Sequence, residues 1–260
     1  MCIIVCKPAG VKLPNKDILE RCFNTNNDGA GFMFVYKNKV RIEKGYFTFD
    51  AFYKDLTDSI KVDTPCVMHF RIGTHGNKSP DNTHPFAISD DDMFLKNQRC
   101  YTDVGVAHNG IISLTSTNNF YSSDTSSDTY KFVKEYLSLI IENYEFYKDD
   151  DTVKLIERLI GSSNKLAFLS KDGHIEMINS FIEDDGIFYS NSSYKPVDVK
   201  KFKINNYDMG YDWEFFKMDK IGYDFPTGAC PASCEDDYSY CSRCSNKKNC
   251  KLYKSEFKEV

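Results

Sequence analysis

The chain lacks any apolar run near the roughly 20 residues that a membrane-spanning helix needs. Its opening residues, Met-Cys-Ile-Ile-Val-Cys-Lys-Pro, turn polar too soon for a secretory signal. It also lacks a basic excess: 33 Lys and Arg against 38 Asp and Glu leave a formal net charge of -5. Phosphate backbones need a positive surface, so neither a nucleic acid nor a membrane is an expected partner. There is no strand–helix–strand rhythm, which argues against a parallel sheet. No histidine stands near the cysteine-rich end, so a metal there would have no open catalytic position. What is present is a globular composition, 41% hydrophobic and 27% charged, in 260 residues. That length suits one large domain with a small appendage, and a cytoplasmic location is the expectation.

Hydrophobic spacing sets the order of elements. Residues 2–6 form a β-branched run that predicts a strand at the start of the chain. Pro14 to Phe23 and Phe52 to Ile60 carry apolar residues at helical spacing. Phe32 to Tyr36 and Lys39 to Tyr46 alternate around Lys37-Asn38, a hairpin signal. Cys66 to Phe70 and Val104 to His108 are further strands, the second ending at Asn109-Gly110. The longest helix begins near Asp128, capped by Ser126 or Ser127, and runs to about Tyr144. A second covers Val153 to Ile160 and stops at Gly161. Lys165 to Leu169 and His174 to Ile178 flank Lys171-Asp172-Gly173 as another hairpin, and Ile187 to Ser190 adds an edge strand. Hairpins, then helices, then strands predict an α+β fold with antiparallel sheets. The composition changes near residue 200, giving two regions, 1–200 and 201–260.

Position two carries the first chemical signal. Methionine is generally removed before a small second residue, and Cys2 then becomes the terminus. A terminal cysteine holds nucleophile and base in one residue. Its α-amine, with a reference pKa of about 7.7–8.0, can take the thiol proton and return it to a leaving amine. The alternative is a small buried residue that merely starts a strand.

Several segments in order strengthen the catalytic reading: Cys2-Ile3-Ile4-Val5, Asp28-Gly29-Ala30-Gly31-Phe32, His69-Phe70-Arg71-Ile72-Gly73-Thr74-His75-Gly76, Asn82-Thr83-His84-Pro85, Val106-Ala107-His108-Asn109-Gly110-Ile111-Ile112 and Ser127-Asp128-Thr129. Together they resemble the class II glutamine amidotransferases, N-terminal-nucleophile hydrolases that free ammonia from the glutamine side chain. The resemblance covers about half the chain, and two departures stand out: Ile72-Gly73 in place of Trp-Ala, and Asn26-Asn27 in place of Arg-Gly.

The resemblance implies a four-layer αββα sandwich with Cys2 as nucleophile. Asn109 and Gly110 would be donors to the oxyanion, a role whose loss costs roughly 10²–10³ in rate where it has been removed. Arg71 would pair bidentately with the substrate α-carboxylate, Thr74 and His84 would add donors, and Asp128 would take the α-ammonium. Each has a structural alternative: a salt-bridged Arg71, a hairpin turn at Asn109-Gly110, an Asp128 that serves only the helix dipole. His75 and His84 suit structural hydrogen bonding as well as ligand contact, and His69 and His108 read as core residues. Ser123-Asp124-Thr125 repeats the Ser-Asp-Thr pattern, but Asp128 directly precedes the helical stripe.

Cys230, Cys234, Cys241, Cys244 and Cys250 lie outside the resemblance. Four thiolates suit structural zinc, an iron–sulfur cluster also takes thiolates, and unbound thiols or a disulfide pair remain the plain alternative. No cofactor is expected for catalysis. About 60 residues after the boundary are too few for a second ordinary catalytic domain. The expectation is therefore a glutaminase subunit that supplies ammonia to a separate synthetase, with the tail for docking. The alternatives are a hydrolase of another γ-glutamyl amide, and a non-catalytic binding protein in which a retained Met1 blocks the α-amine.

Overall fold

A computed structural model describes residues 2–73, 77–113 and 125–196. All lie within a single unit, Met1–Asp198. The region 201–260 with its five cysteines lies outside the described residues, as do Met1, Thr74, His75 and Asp124.

Two antiparallel sheets organise the unit, so the α+β class holds. The seven-stranded sheet has the order β10-β11-β1-β4-β2-β3-β6. Its members are β1 (Ile3–Lys7), β2 (Ala30–Tyr36), β3 (Lys39–Tyr46), β4 (Cys66–Phe70), β6 (Arg99–Thr102), β10 (Ile182–Asp184) and β11 (Ile187–Tyr189). The four-stranded sheet runs β5-β7-β8-β9, from β5 (Phe86–Ala87), β7 (Val104–Asn109), β8 (Lys165–Ser170) and β9 (Ile175–Ile178). Every residue of β1, β4 and β7 is buried. Their mostly apolar sequences, broken only by the buried Lys7, His69, His108 and Asn109, reflect cover on both faces.

Strand alternation sorts the core into three groups. Ile3, Val5, Phe32, Met68 and Phe70 pack with Leu19, Cys22 and Phe23 of α1 (Lys16–Thr25) and with Phe52 and Leu56 of α2 (Phe49–Ser59). Their neighbours Ile4, Cys6, Met33 and Val67 pack with Ala107, Ala167 and Leu169 of the second sheet. The other face of that sheet, through Val106, Leu166 and Phe168, meets the later helices. These helices include α4 (Asp128–Phe132), a π-helical stretch Val133–Leu137, α5 (Ser138–Ile140) and α6 (Asp150–Ile160).

The local signals acted as their chemistry requires. Lys37 and Asn38 both take positive φ, which turns the β2–β3 hairpin tightly. Of the two candidate caps of α4, Ser127 is the one used: its hydroxyl accepts the Tyr130 N–H at 3.2 Å. The helix ends at Ile140 rather than near Tyr144. Residues 187–190 differ from expectation. β11 is not an edge strand, because β10 lies outside it, and all three β10 residues are exposed, with Ile182 alone apolar and no alternation to mark a strand. Strands β5 and β6 and the short α3 (Asp92–Lys96) were not legible either. No helix among the described residues is long and apolar enough to cross a membrane.

Candidate functional site

The register of the first sheet builds one side of the site. β1 and β4 are antiparallel with Ile3 opposite Phe70, which sets Cys2 just past the ladder beside Arg71 and Ile72. The Cys2 thiol donates to the Ile72 carbonyl at 3.4 Å, and the Ile72 N–H donates back to the sulfur at 3.4 Å. Among the described residues no histidine or carboxylate hydrogen-bonds this thiol. Burial pushes the thiol above its ordinary value, opposed by the Ile72 N–H and by the positive charge of Arg71. A resting thiol in that setting needs a proton acceptor before it can attack.

Arg71 is 3% exposed. Its backbone is fixed at both ends, since its N–H donates to Gly29 O at 2.8 Å and its carbonyl accepts from Asp28 N at 2.9 Å. Burial pulls the guanidinium down from its usual value, while the negative charges of Cys2 thiolate, Asp28 and Asp128 act to hold it charged. The turn that follows is held by Asp28, whose carboxylate accepts the Gly73 N–H at 2.8 Å. That bond is the main reason the Asp28 carboxyl lies below the usual carboxylate range. Gly73 lies close against the guanidinium: a Cβ there would stand 3.0 Å from Nη1 and 3.1 Å from Nη2.

The second sheet supplies Asn109 at the end of β7 and Gly110 after it. Gly110 takes φ +145°, and a Cβ would fall 2.1 Å from Asn164 Oδ1, so glycine is required there. Asn109 is buried, and its Nδ2 lies 2.9 Å from the Ser190 hydroxyl. Its Oδ1 is buried without a partner among the described residues. Asp128 braces the loop beyond: Oδ2 accepts the Ile112 N–H and Oδ1 the Thr129 N–H, each at 2.8 Å. Ser127, beside it, donates its N–H to Asn82 Oδ1 at 2.8 Å, which joins two of the sequence motifs.

Three buried histidines link the two strands that carry Arg71 and Asn109. His69 Nε2 lies 2.9 Å from the His108 carbonyl, and a carbonyl only accepts, so Nε2 bears the proton. His84 Nδ1 sits 2.9 Å from the same nitrogen and is therefore the acceptor of that pair. His108 Nε2 donates to Asn164 Oδ1 at 2.9 Å, while the Asn164 amide donates to Ile160 O. Thr129 Oγ1 completes the chain at 2.8 Å from His108 Nδ1. Burial lowers His69 to about 3 and also lowers His84 and His108, so all three are neutral. His84, expected among the substrate donors, is 4% exposed and has its Nδ1 turned to His69.

Electrostatic coupling thus joins Arg71 to Cys2 and Asp128, and Asn109, with Gly110 after it, is tied through Ser190 to Ile4, two residues from Cys2. Thr74 lies outside the described residues. Among the described residues no group of three His, Cys, Asp or Glu side chains is placed to hold a metal ion. Two residues escaped the sequence reading. Ser190 bonds both Ile4 and Asn109, and Asn191 Nδ2 donates to the Cys2 carbonyl at 2.7 Å. Ser190 reads as the end of a strand and Asn191-Ser192-Ser193 as the loop after it, and nothing in either signals contact with residues far away in the chain. No protein-family model matches the sequence, and no curated protein does.

Proposed function

We propose that this chain is an N-terminal-nucleophile amidohydrolase of the class II glutamine amidotransferase type. One observation carries the reading: the Cys2 thiol is held beside buried Arg71 with no histidine or carboxylate bonded to it. A cysteine placed so has its own α-amine as the natural base once Met1 is removed. The three stacked apolar groups, with helices against the outer faces of both sheets, support a four-layer αββα sandwich.

The α-amine takes the thiol proton, and sulfur attacks the side-chain amide carbon of glutamine. The oxyanion is met by the Asn109 side-chain amide and the Gly110 N–H, donors fixed before the reaction begins. Collapse breaks the C–N bond, the ammonium returns its proton to nitrogen, and ammonia leaves. Water then attacks the thioester, giving glutamate and restoring the thiol. Arg71 pairs with the α-carboxylate, Asp128 with the α-ammonium, and Thr74 and His84 complete the substrate contacts. The ammonia goes to a separate acceptor-activating synthetase. A second reading, another γ-glutamyl amide as substrate, is favoured by Ile72-Gly73 in place of the resembled family's Trp-Ala, a change beside the thiol.

The test is ammonia release from glutamine by protein whose loss of Met1 is confirmed by intact mass, beside Cys2→Ala. Release that disappears in Cys2→Ala is the expected result. Equal release from both proteins sinks the nucleophile assignment, and release only from other γ-glutamyl amides selects the second reading.

A further inference from the structure

Ser190 is fully buried and bonded on every polar atom. Its N–H donates to Ile4 O at 3.0 Å, and its hydroxyl oxygen accepts the Ile4 N–H at 2.9 Å. Its carbonyl accepts Lys165 Nζ at 2.5 Å, and its hydroxyl lies 2.9 Å from the Asn109 amide. Ile4 belongs to the first sheet, two residues from the nucleophile, whereas Lys165 and Asn109 belong to the second. One serine therefore ties the nucleophile strand to the oxyanion strand. The next residue completes the clamp. Asn191 donates to Cys2 O, and its own orientation is fixed because its Oδ1 accepts the Ser193 N–H at 3.0 Å.

The hydroxyl has one proton to give. With Nδ2 of Asn109 donating to Ser190 Oγ, that oxygen already accepts twice and its own proton finds no acceptor among the described residues, while Asn109 Oδ1 stays buried without a partner. Turning the amide by half a turn resolves this without moving the side chain. Ser190 Oγ–H then donates to Oδ1, and Nδ2 becomes the unspent donor that a reacting carbonyl needs. Leaving buried groups unpaired is costly, and the turned orientation leaves one such group, Nδ2, in place of two, and none once a reacting carbonyl is bound.

We propose that Ser190 is a positioning residue that orients the Asn109 amide with Nδ2 toward the oxyanion and anchors it to the nucleophile strand. This rests on the hydrolase reading above. The experiment compares wild type, Ser190→Ala, Ser190→Thr, Asn109→Ala and the double variant Ser190→Ala/Asn109→Ala. Two rates are measured: ammonia release, and alkylation of Cys2 by iodoacetamide, which expels iodide and forms no oxyanion.

Ser190→Ala is expected to lower kcat about ten- to a hundredfold with KM within about twofold, less than loss of the donor itself. Cys2 alkylation keeps its rate, Ser190→Thr recovers most of kcat, and Ser190→Ala adds nothing once Asn109 is alanine. Alkylation that slows in step with kcat, or a full additional loss in the double variant, overturns the assignment and leaves Ser190 as a strand clamp only. A wild type that releases no ammonia, with Met1 absent, counts against the hydrolase reading alone. The Asn109 side-chain carbonyl carbon then decides: its NMR shift moves in Ser190→Ala and not in Ser190→Thr if Oδ1 accepts the hydroxyl, and an unmoved signal overturns the proposal.

Discussion

The two ends of β1 carry the same side chain in opposite circumstances. Cys6 is sealed between the sheets with Ile4, Met33, Val67 and Ala107, and burial pushes its thiol far above the ordinary value. Cys2, four residues earlier, lies past the end of the ladder, partly exposed, against the Ile72 backbone and within reach of the Arg71 charge. Burial raises both thiols, but only Cys2 has groups beside it that favour the thiolate and a route to solvent. Reactivity here follows from where the strand stops, not from residue type.

The comparison breaks most sharply under alkylation. In native protein iodoacetamide is expected to label Cys2 first among the five described cysteines, with Cys6, Cys22 and Cys66 protected by a factor on the order of a thousand until the fold opens. Peptide mapping before and after denaturation checks this. Equal labelling of Cys2 and Cys6 would show that the strand end gives no special access. The companion substitutions separate chemistry from packing. Cys2→Ala should abolish the proposed ammonia release, while Cys6→Ala should keep it and cost about 1–2 kcal/mol of stability.

A second contrast sets the histidine chain against the carboxylates. His69, His84 and His108 have folded-state pKa values below their ordinary ones, because burial disfavours the charged ring. Groups depressed in this sense are neutral in the fold and take up protons on unfolding. Their contribution is intact above the unfolded value of about 6.5 and is lost as pH falls below it. Three of them steepen the loss to about 4 kcal/mol per pH unit until the first protonates in the fold. Asp28 and Asp103, lowered by the Gly73 N–H and by Lys39 respectively, act in a separate window below the carboxylate value. Urea midpoints between pH 7 and pH 4.5 measure the slope. A flat profile from pH 6.5 to 5 would mean that the cluster does not hold together as described.

How much of this was legible in the sequence depended on the range of the signal. Strands β1, β4 and β7 were readable because burial on both faces makes them mostly apolar and rich in β-branched residues, even with His69 and His108 inside them. Gly110 was singled out through the resemblance, and Ser127 was one of two serines placed where a helix start selects a capping residue locally. Strand β10 was not, since its exposed Ile182-Glu183-Asp184 is held by pairing with β11 rather than by a face of its own. Ser190 and Asn191 were illegible for a different reason: their partners lie 186, 81 and 189 positions away. The histidine chain was half visible. His69 and His108 read as core, whereas His84 read equally as a structural hydrogen-bonder and as a substrate contact, because its bond to His69 depends on how the chain leads back to β5.

The smallest predicted effects lie at the Arg71 pocket and sharpen the Cys2 half of the comparison. Arg71→Lys keeps the charge near the thiol but loses the planar fork, so KM for glutamine should rise about ten- to a hundredfold while kcat changes less. Cys2 alkylation should stay near the wild-type rate, because the thiolate still faces a cation. Gly73→Ala is subtler. Its Cβ would stand 3.0–3.2 Å from the guanidinium, a contact that a shift of a few tenths of an ångström relieves. Such a shift moves the fork relative to a carboxylate without unseating it, and a KM increase of about two- to fivefold follows, under 1 kcal/mol. A Gly73→Ala variant as impaired as Arg71→Lys would mean that the loop backbone, and not the fork, fixes the substrate.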